Sequence, residues 1–325
     1  MGARLAFNRL VHSDWSKSLK KRWTATAHLR SGVWFVDELR ITLSPHEFLE
    51  VLFDDAFKTL AGFDFAIGLP ASYLVEIEPD FFQLLSLLGQ EPWHEFALVA
   101  NSPDEITRYR PFYPNRSQRG VKRVDLARRL EINFDELFRA CERATLSRSE
   151  ASPIFWTLGG KQVGKATLSG WKDILAPARK RGAKLWPFEG PLPSLASTTL
   201  TLAETYPAEA YQHIGLTRTI RKRSQGGRRT AGITMLEWAA RHDVRLASEI
   251  QTLVADGFGE LPSGEDPFDA TAGLLGMIEV VEGRRAEAPS SMTFLKDSEG
   301  WVLGQTDVPL PNPDYNVMKL QPASV

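Results

Sequence analysis

Alternating hydrophobic and polar positions predict three consecutive antiparallel strands in the first forty residues. The stretch Arg9–Ser16 begins with a short apolar run and reaches an acid at Asp14. The next two stretches, Lys21–Leu29 and Val33–Arg40, are rich in strand-forming residues, and Ser31-Gly32 between them favours a turn. Such a meander would place the carboxylate of Asp14 at the rim of a sheet.

A helix and a fourth strand are predicted next. Ser44 has the position of an N-cap before a proline, and apolar residues spaced three and four apart continue to Leu60, with Gly62 ending the helix. The following stretch, Phe63–Leu69, is apolar except for Asp64, which is typical of a strand covered on both faces. The predicted order is therefore β-β-β-α-β.

The rest of the chain is predicted to be mostly helical. Residues 70–195 combine amphipathic helices with irregular stretches, and we interpret them as a helical insertion or cap within a single α/β domain. The elements predicted after residue 70 are helices over Phe81–Leu88 and Asp125–Arg143, a strand over Thr198–Glu204, a helix from Pro207, helices over Thr234–Ala247, Ala247–Ala255 and Asp266–Val281, and an edge strand over Trp301–Gly304.

Composition and charge limit the possible functions. The 325 residues, 43% of them hydrophobic, are enough for one large domain with a sizeable core. The 39 basic and 40 acidic residues give a net charge of −1, so a polyanion would have to be bound by local clusters of charge. The single cysteine, Cys141, excludes an intramolecular disulfide. Because no signal peptide or membrane-spanning apolar run is present, we expect a cytoplasmic protein without a membrane partner.

Acidic residues stand at the ends of the predicted apolar elements. They are Asp14 after the first strand, Asp64 in the fourth, Glu204 after the fifth, and Asp266 and Asp269 at the start of the last helix. Asp266 and Asp269 are three residues apart and so lie on one helical face. Carboxylates that converge from separate elements can bind Mg²⁺ and support phosphodiester cleavage. Each acid also has a structural alternative as a turn residue, a helix cap or a member of an ion pair.

The order of these elements resembles a known family. The stretches HSDWS, GFDFAIGLP, LAETYPAEAY, EDPFDATAGLLG and EGWVLG, in this order along most of the chain, are similar to the predicted RNase H-like nucleases classed as domain of unknown function 429. The β-β-β-α-β start resembles the RNase H fold, and the start of the last helix resembles that of RuvC-type Holliday-junction resolvases. The resemblance implies nuclease activity with Mg²⁺ or Mn²⁺ held by Asp14, Asp64 and Asp269. It implies Glu204 as a fourth ligand, or as a group that orients water or metal.

Two basic stretches suit contacts with the phosphates of nucleic acid. Arg221, Lys222 and Arg223 lie in one, and Arg110, Arg116 and Arg119 lie in the other, near Tyr109, Phe112 and Tyr113. Basic side chains at this density bind phosphate, and aromatic rings beside them can stack on unpaired bases. A solvated charged loop is the alternative interpretation of each stretch.

The sequence thus predicts a divalent-metal-dependent phosphodiesterase acting on DNA or RNA. One alternative is a non-catalytic nucleic-acid-binding or regulatory module on the same fold. Another is a phosphotransferase of a related fold. The stretch Gly159–Ala166, GGKQVGKA, approaches a phosphate-binding loop but has Ala166 where a magnesium-binding hydroxyl is needed, so we expect an ordinary amphipathic helix there. The oligomeric state is left undefined by the sequence.

Overall fold

A mixed sheet forms the centre of the molecule. The computed structural model describes residues 4–42, 44–116, 122–146, 148–158, 163–217, 219–292 and 299–310. The strands are β1 (Arg9–Asp14), β2 (Trp23–Arg30), β3 (Val33–Ile41), β4 (Thr59–Phe63), β5 (Lys184–Leu185), β6 (Leu200–Glu204) and β7 (Val244–Leu246). In the described part of the chain they make one seven-stranded sheet with the order β5-β6-β4-β1-β2-β3-β7.

The direction of the strands agrees with the prediction of three antiparallel strands followed by parallel ones. β1, β2 and β3 pair antiparallel, whereas β4 is parallel to β1, β6 to β4, and β5 to β6. β7 adds a short parallel strand beside β3. The carboxyl ends of β1, β4 and β6 therefore meet at one edge of the sheet.

Helices cover both faces of this sheet. They are α1 (Pro45–Leu52), α2 (Ala71–Val75), α3 (Phe81–Leu87), α4 (Arg123–Leu130), α5 (Val163–Gly170), α6 (Ala176–Lys180), α7 (Leu192–Leu195), α8 (Pro207–His213), α9 (Gln225–Arg241), α10 (Ser248–Asp256) and α11 (Glu265–Val281). A π-helical turn, Trp171–Leu175, joins α5 to α6. In the described ranges, no helix combines the length and the apolarity that crossing a membrane requires.

Two hydrophobic layers follow from the alternation of side chains along the strands. Leu10 and Leu60 belong to the layer that contains α11, while Val11 and Phe63 belong to the layer on the α1 side. Glycine allows α11 to approach the sheet closely, because a Cβ at Gly273 would overlap the ring of His12. This close contact fixes the start of α11 near the ends of β1 and β4.

The predicted boundary between the first helix and the fourth strand was wrong. α1 ends at Leu52, and β4 spans Thr59–Phe63 instead of Phe63–Leu69. The turn between them is stabilised by Asp54, whose side chain accepts a hydrogen bond from the Ala56 backbone at 3.0 Å. Apolar residues in this turn and strand continue the helical spacing by coincidence. Asp64 consequently follows the carboxyl end of its strand directly.

Three later elements also differ from the prediction. The helix expected over Asp125–Arg143 ends at Leu130, since Glu131 adopts a left-handed conformation with φ 58°. The helix expected over Thr234–Ala247 starts earlier, at Gln225, and its last residues form β7. The stretch predicted as an edge strand, Trp301–Gly304, makes a single bridge between Val302 and Glu204.

Candidate functional site

Two aspartates lie side by side at the carboxyl ends of β1 and β4. Asp14 is the last residue of β1, and the Asp64 amide donates to the Ser13 carbonyl at 3.1 Å. The register pairs Ser13 with Phe63, so Asp14 and Asp64 occupy the next position on neighbouring parallel strands, whose backbones are about 4.8 Å apart. By alternation, both side chains belong to the sheet face that α11 covers.

The first turns of α11 bring a third aspartate to this edge. Asp269 is 6% exposed and accepts hydrogen bonds from the Tyr211 hydroxyl and from Nζ of Lys222. Tyr211 lies on α8, which follows β6, and Lys222 lies in the segment before α9. Five separate segments of the chain thus contribute to one polar cluster at the sheet edge.

Burial and neighbouring charges disfavour the ionised forms of the three aspartates. Burial raises the pKa of Asp14 well above its usual value, and the charges of Asp269 and Asp64 raise it further. Burial and Asp269 raise the pKa of Asp64 to about 7. Burial raises the pKa of Asp269 as well, although Lys222 opposes that shift. Buried carboxylates that repel one another in this way are typical of catalytic and cation-binding sites.

Asp266 lies at the margin of this cluster. It is half-buried in the first turn of α11, one turn before Asp269. Burial raises its pKa to about 6, while the positive charge of Lys21 lowers it and Asp269 raises it slightly. The structure therefore brings Asp266 near the other aspartates, but on the side that faces the basic residues after β1.

Glu204, the fourth predicted acid, has a different environment. Both of its carboxylate oxygens accept hydrogen bonds from the guanidinium of Arg139 at 2.7 Å, and one also accepts from the Ile67 amide at 2.6 Å. β6 is an inner strand next to β4. Because its carboxylate is fully engaged, Glu204 supports the loop that follows Asp64 and does not point a free oxygen at the cluster.

The chemistry of the donors fits one hard divalent cation. In the described ranges, no set of three or more histidine, cysteine, aspartate or glutamate side chains has a geometry that could hold a metal ion. Mg²⁺, however, is commonly held by only one or two carboxylates together with water and substrate phosphate. Asp14 and Asp64 meet that requirement, whereas Asp269 is already paired with Lys222 and Tyr211.

Two buried polar groups near the cluster have no hydrogen-bond partner in the described part of the chain. The Thr205 hydroxyl is one: its backbone donates to Phe63, and its methyl group lies over Gly62 on the α11 side of the sheet. The Nε2 atom of His12 is the other, while Nδ1 of the same ring contacts the Ala270 carbonyl at 3.0 Å. Thr205, whose backbone is bonded to the residue before Asp64, thus carries a buried hydroxyl without a partner among the described residues.

The predicted phosphate-binding residues separate into three groups. Arg221 and Arg223 are exposed on either side of Lys222, and Arg116 is exposed on the insertion. Arg110 instead pairs with Glu105 at 2.9 Å. Arg119 lies outside the described residues.

Two of the three aromatic residues near Arg110 are not available for stacking on bases. Phe112 is 0% exposed and Tyr113 is 1% exposed, because both pack into the hydrophobic layer on the α1 side. Tyr109 is partly exposed but contacts Trp93. The prediction of an aromatic single-strand platform at Phe112 and Tyr113 was therefore wrong.

Several residues that shape the site were not identified from the sequence. Tyr211 is the last residue of the stretch LAETYPAEAY and lies on α8, the helix that follows β6. Its position on a helix that starts next to a strand end could have identified it as a site residue. Arg139 and Thr205 gave no local signal, because each acts through a partner far away in sequence.

A cleft of about 680 Å³ lies on the insertion, away from the aspartates. Its walls include Glu76, Trp93, Arg108 and Tyr109. It contains none of the acids of the cluster, so size alone does not identify it as the reactive site.

Comparisons with known proteins find no match for the chain. No family model, curated protein or solved structure matches it. The chain is thus an α/β protein with a seven-stranded mixed sheet flanked by helices among the described residues, and its resemblance to the RNase H-like nucleases stays a prediction.

Proposed function

We propose that the chain is a divalent-metal-dependent phosphodiesterase that cleaves nucleic acid. One observation carries the proposal: Asp14, Asp64 and Asp269 come from β1, the end of β4 and α11, burial raises the pKa of each, and the charge of Asp269 raises the pKa of Asp14 and Asp64 further. Keeping three such carboxylates together costs stability unless cations neutralise them. Binding of a divalent cation together with a phosphate group would offset this cost and would explain why the carboxylates lie together.

Asp14 and Asp64 are the residues that would hold the cation. When bound, Mg²⁺ or Mn²⁺ would neutralise phosphate charge and make water a stronger nucleophile at neutral pH. The ammonium of Lys222 favours the charged form of Asp269 and adds a positive charge beside the same position. The pair formed by Glu204 and Arg139 holds Ile67 and so fixes the loop that begins at Asp64.

Exposed basic residues would bind the substrate backbone. Arg221 and Arg223 flank Lys222 on the surface, so their guanidinium groups can contact phosphates next to the one being cleaved. Arg116 is a further exposed candidate. Contacts of this kind neutralise phosphate without recognising a base sequence, which leaves both DNA and RNA as substrates.

We infer an RNase H-like arrangement as the fold behind this function. The order β1, β2, β3, α1, β4 and the position of α11 across β1 agree with the elements on which the resemblance rests. The corrected boundary of β4 supports the inference, since Asp64 now follows its strand as Asp14 ends β1.

A second candidate function is a nucleic-acid-binding module without turnover. The pairing of Lys222 with Asp269 favours it, because that ion pair partly neutralises the cluster without a metal. In this alternative function, the same basic surface binds phosphate, and the aspartates serve only to hold the side chain of Lys222 in place.

Incubation of the purified protein with labelled substrates separates the two functions. Single-stranded, duplex and branched DNA and RNA would be tested with Mg²⁺, with Mn²⁺ and with EDTA. Cleavage that requires the cation supports the phosphodiesterase. Salt-dependent binding without cleavage under all of these conditions supports the module and rejects the enzyme.

A further inference from the structure

The ammonium of Lys222 brings a positive charge among the three aspartates. Its Nζ donates to Asp269, and its side chain is 38% exposed. Burial alone would lower the pKa of Lys222, but the charges of Asp269, Asp64 and Asp14 outweigh that effect and raise it. The ammonium therefore lies in the field of all three carboxylates.

The backbone of Lys222 is held firmly in this place. Arg228 is fully buried and donates to the Lys222 carbonyl at 2.6 Å. The same guanidinium donates to the carbonyls of Gly257, Gly259 and Leu261 at 2.7–2.9 Å, which lie on the segment leading into α11. Lys222 is consequently fixed to the element that carries Asp269, unlike a lysine on a free surface loop.

The charges of the cluster leave room for one divalent cation. Asp14, Asp64 and Asp269 carry three negative charges when ionised, and Lys222 supplies one positive charge. One divalent cation balances the remaining two negative charges. Two divalent cations would leave an excess of two positive charges among these four residues, which a cluster with limited access to water opposes.

A second observation, independent of the acids, concerns a buried hydroxyl directly after β6. The buried hydroxyl of Thr205 has no hydrogen-bond partner in the described part of the chain, and its backbone is bonded to the residue before Asp64. A buried polar group without a partner costs stability, and water or a ligand group bonded to this hydroxyl would offset that cost.

We propose that the site binds a single divalent cation beside Asp14 and Asp64, and that Lys222 supplies the positive charge that a second cation would otherwise provide. The inference rests on the proposed function for its substrate, but it concerns the number of cations bound. It assigns Lys222 a role different from that of Arg221 and Arg223, which contact only the backbone of the nucleic acid.

The number of Mn²⁺ ions bound per chain, measured by titration without nucleic acid, tests this inference. Wild-type protein should bind one ion. Lys222→Met should bind a second ion, or bind the first about tenfold or more tightly, because a competing positive charge is removed. Lys222→Arg should keep one ion. Lys20→Met, which removes an exposed lysine, is the matched control and should behave as wild type.

Wild-type protein that binds two ions or none would overturn the inference. So would a Lys222→Met variant that is folded and binds Mn²⁺ as wild type does. The wild-type stoichiometry decides the question even if a variant fails to fold. One bound ion without cleavage of any substrate would reject the proposed enzyme and leave this inference standing, whereas cleavage with two bound ions would do the reverse.

Discussion

At the scale of single residues, Arg139 determines how Glu204 behaves. Its buried guanidinium lies between two carboxylates, Glu204 at 2.7 Å and Glu142 at 2.9 Å. One positive charge cannot neutralise two buried carboxylates, so the pKa of one of them has to rise. Burial raises the pKa of Glu142 to about 7, although Arg139 opposes this shift.

This shift predicts a pH dependence of stability. The folded protein binds a proton on Glu142 up to about pH 7, whereas the unfolded chain releases it near 4.5. The free energy of unfolding should therefore fall as the pH rises from 4.5 to 7, by up to about 1.4 kcal/mol for each unit of pKa shift. Urea unfolding at several pH values should show that Glu142→Gln removes part of this decline. An unchanged slope in that variant would contradict the assignment.

The residue scale also shows a limit of sequence analysis. Asp14 could be identified because a strand pattern ends on it, and α11 could be identified from its continuous apolar face after Asp266 and Asp269. Glu204 could also be identified, because it ends a strand. Its ion pair with Arg139 could not be predicted, because Arg139 lies 65 residues away in an irregular part of the chain.

At the scale of elements, the site depends on how closely α11 lies on β1 and β4. Gly273 of α11 lies against the ring of His12 on β1, and Gly62 of β4 lies against Met277 of α11. Because neither glycine has a side chain, the helix and the strands can approach closely. The predicted boundaries of this region were wrong where short turns and strands continued a helical spacing, as between Phe53 and Leu60. Strand pairing, which the local sequence does not specify, decides such cases.

Gly273→Ala tests the close approach of α11. The added methyl group would overlap the His12 ring, so the variant should lose about 1–3 kcal/mol of stability in urea unfolding, even though alanine favours helices. Gly226→Ala is the matched control, because nothing lies within 4 Å of its new Cβ, and its stability should change by no more than about 1 kcal/mol. Equal stability of the two variants would mean that α11 does not depend on the glycine at 273.

At the scale of the whole molecule, the balance of 39 basic and 40 acidic residues would confine the proposed nucleic-acid contacts to a small surface. Arg221 and Arg223, which are exposed on either side of Lys222, and Arg116 on the insertion are candidates for this surface. Binding through so few phosphates should be weak and only moderately sensitive to salt.

The salt dependence of binding measures this surface. With about three phosphate contacts, a plot of log K against log salt for DNA should have a slope of roughly −2 to −3. Arg221→Gln and Arg223→Gln should each make the slope less negative by about 1. Arg181→Gln, which breaks an ion pair with Glu50 on the α1 side, should leave it unchanged. Slopes that stay the same in all three variants would place the binding surface elsewhere.

The most direct test of the account is the cation-dependent cleavage rate of Asp14→Asn beside wild-type protein. Asparagine keeps the shape of Asp14 but removes the charge that would bind the cation. The account predicts that wild-type protein cleaves nucleic acid with Mg²⁺ or Mn²⁺ and that Asp14→Asn is slower by about a hundredfold or more. Asp243→Asn, an exposed control, should cleave at the wild-type rate. Cleavage by Asp14→Asn at the wild-type rate would contradict the account.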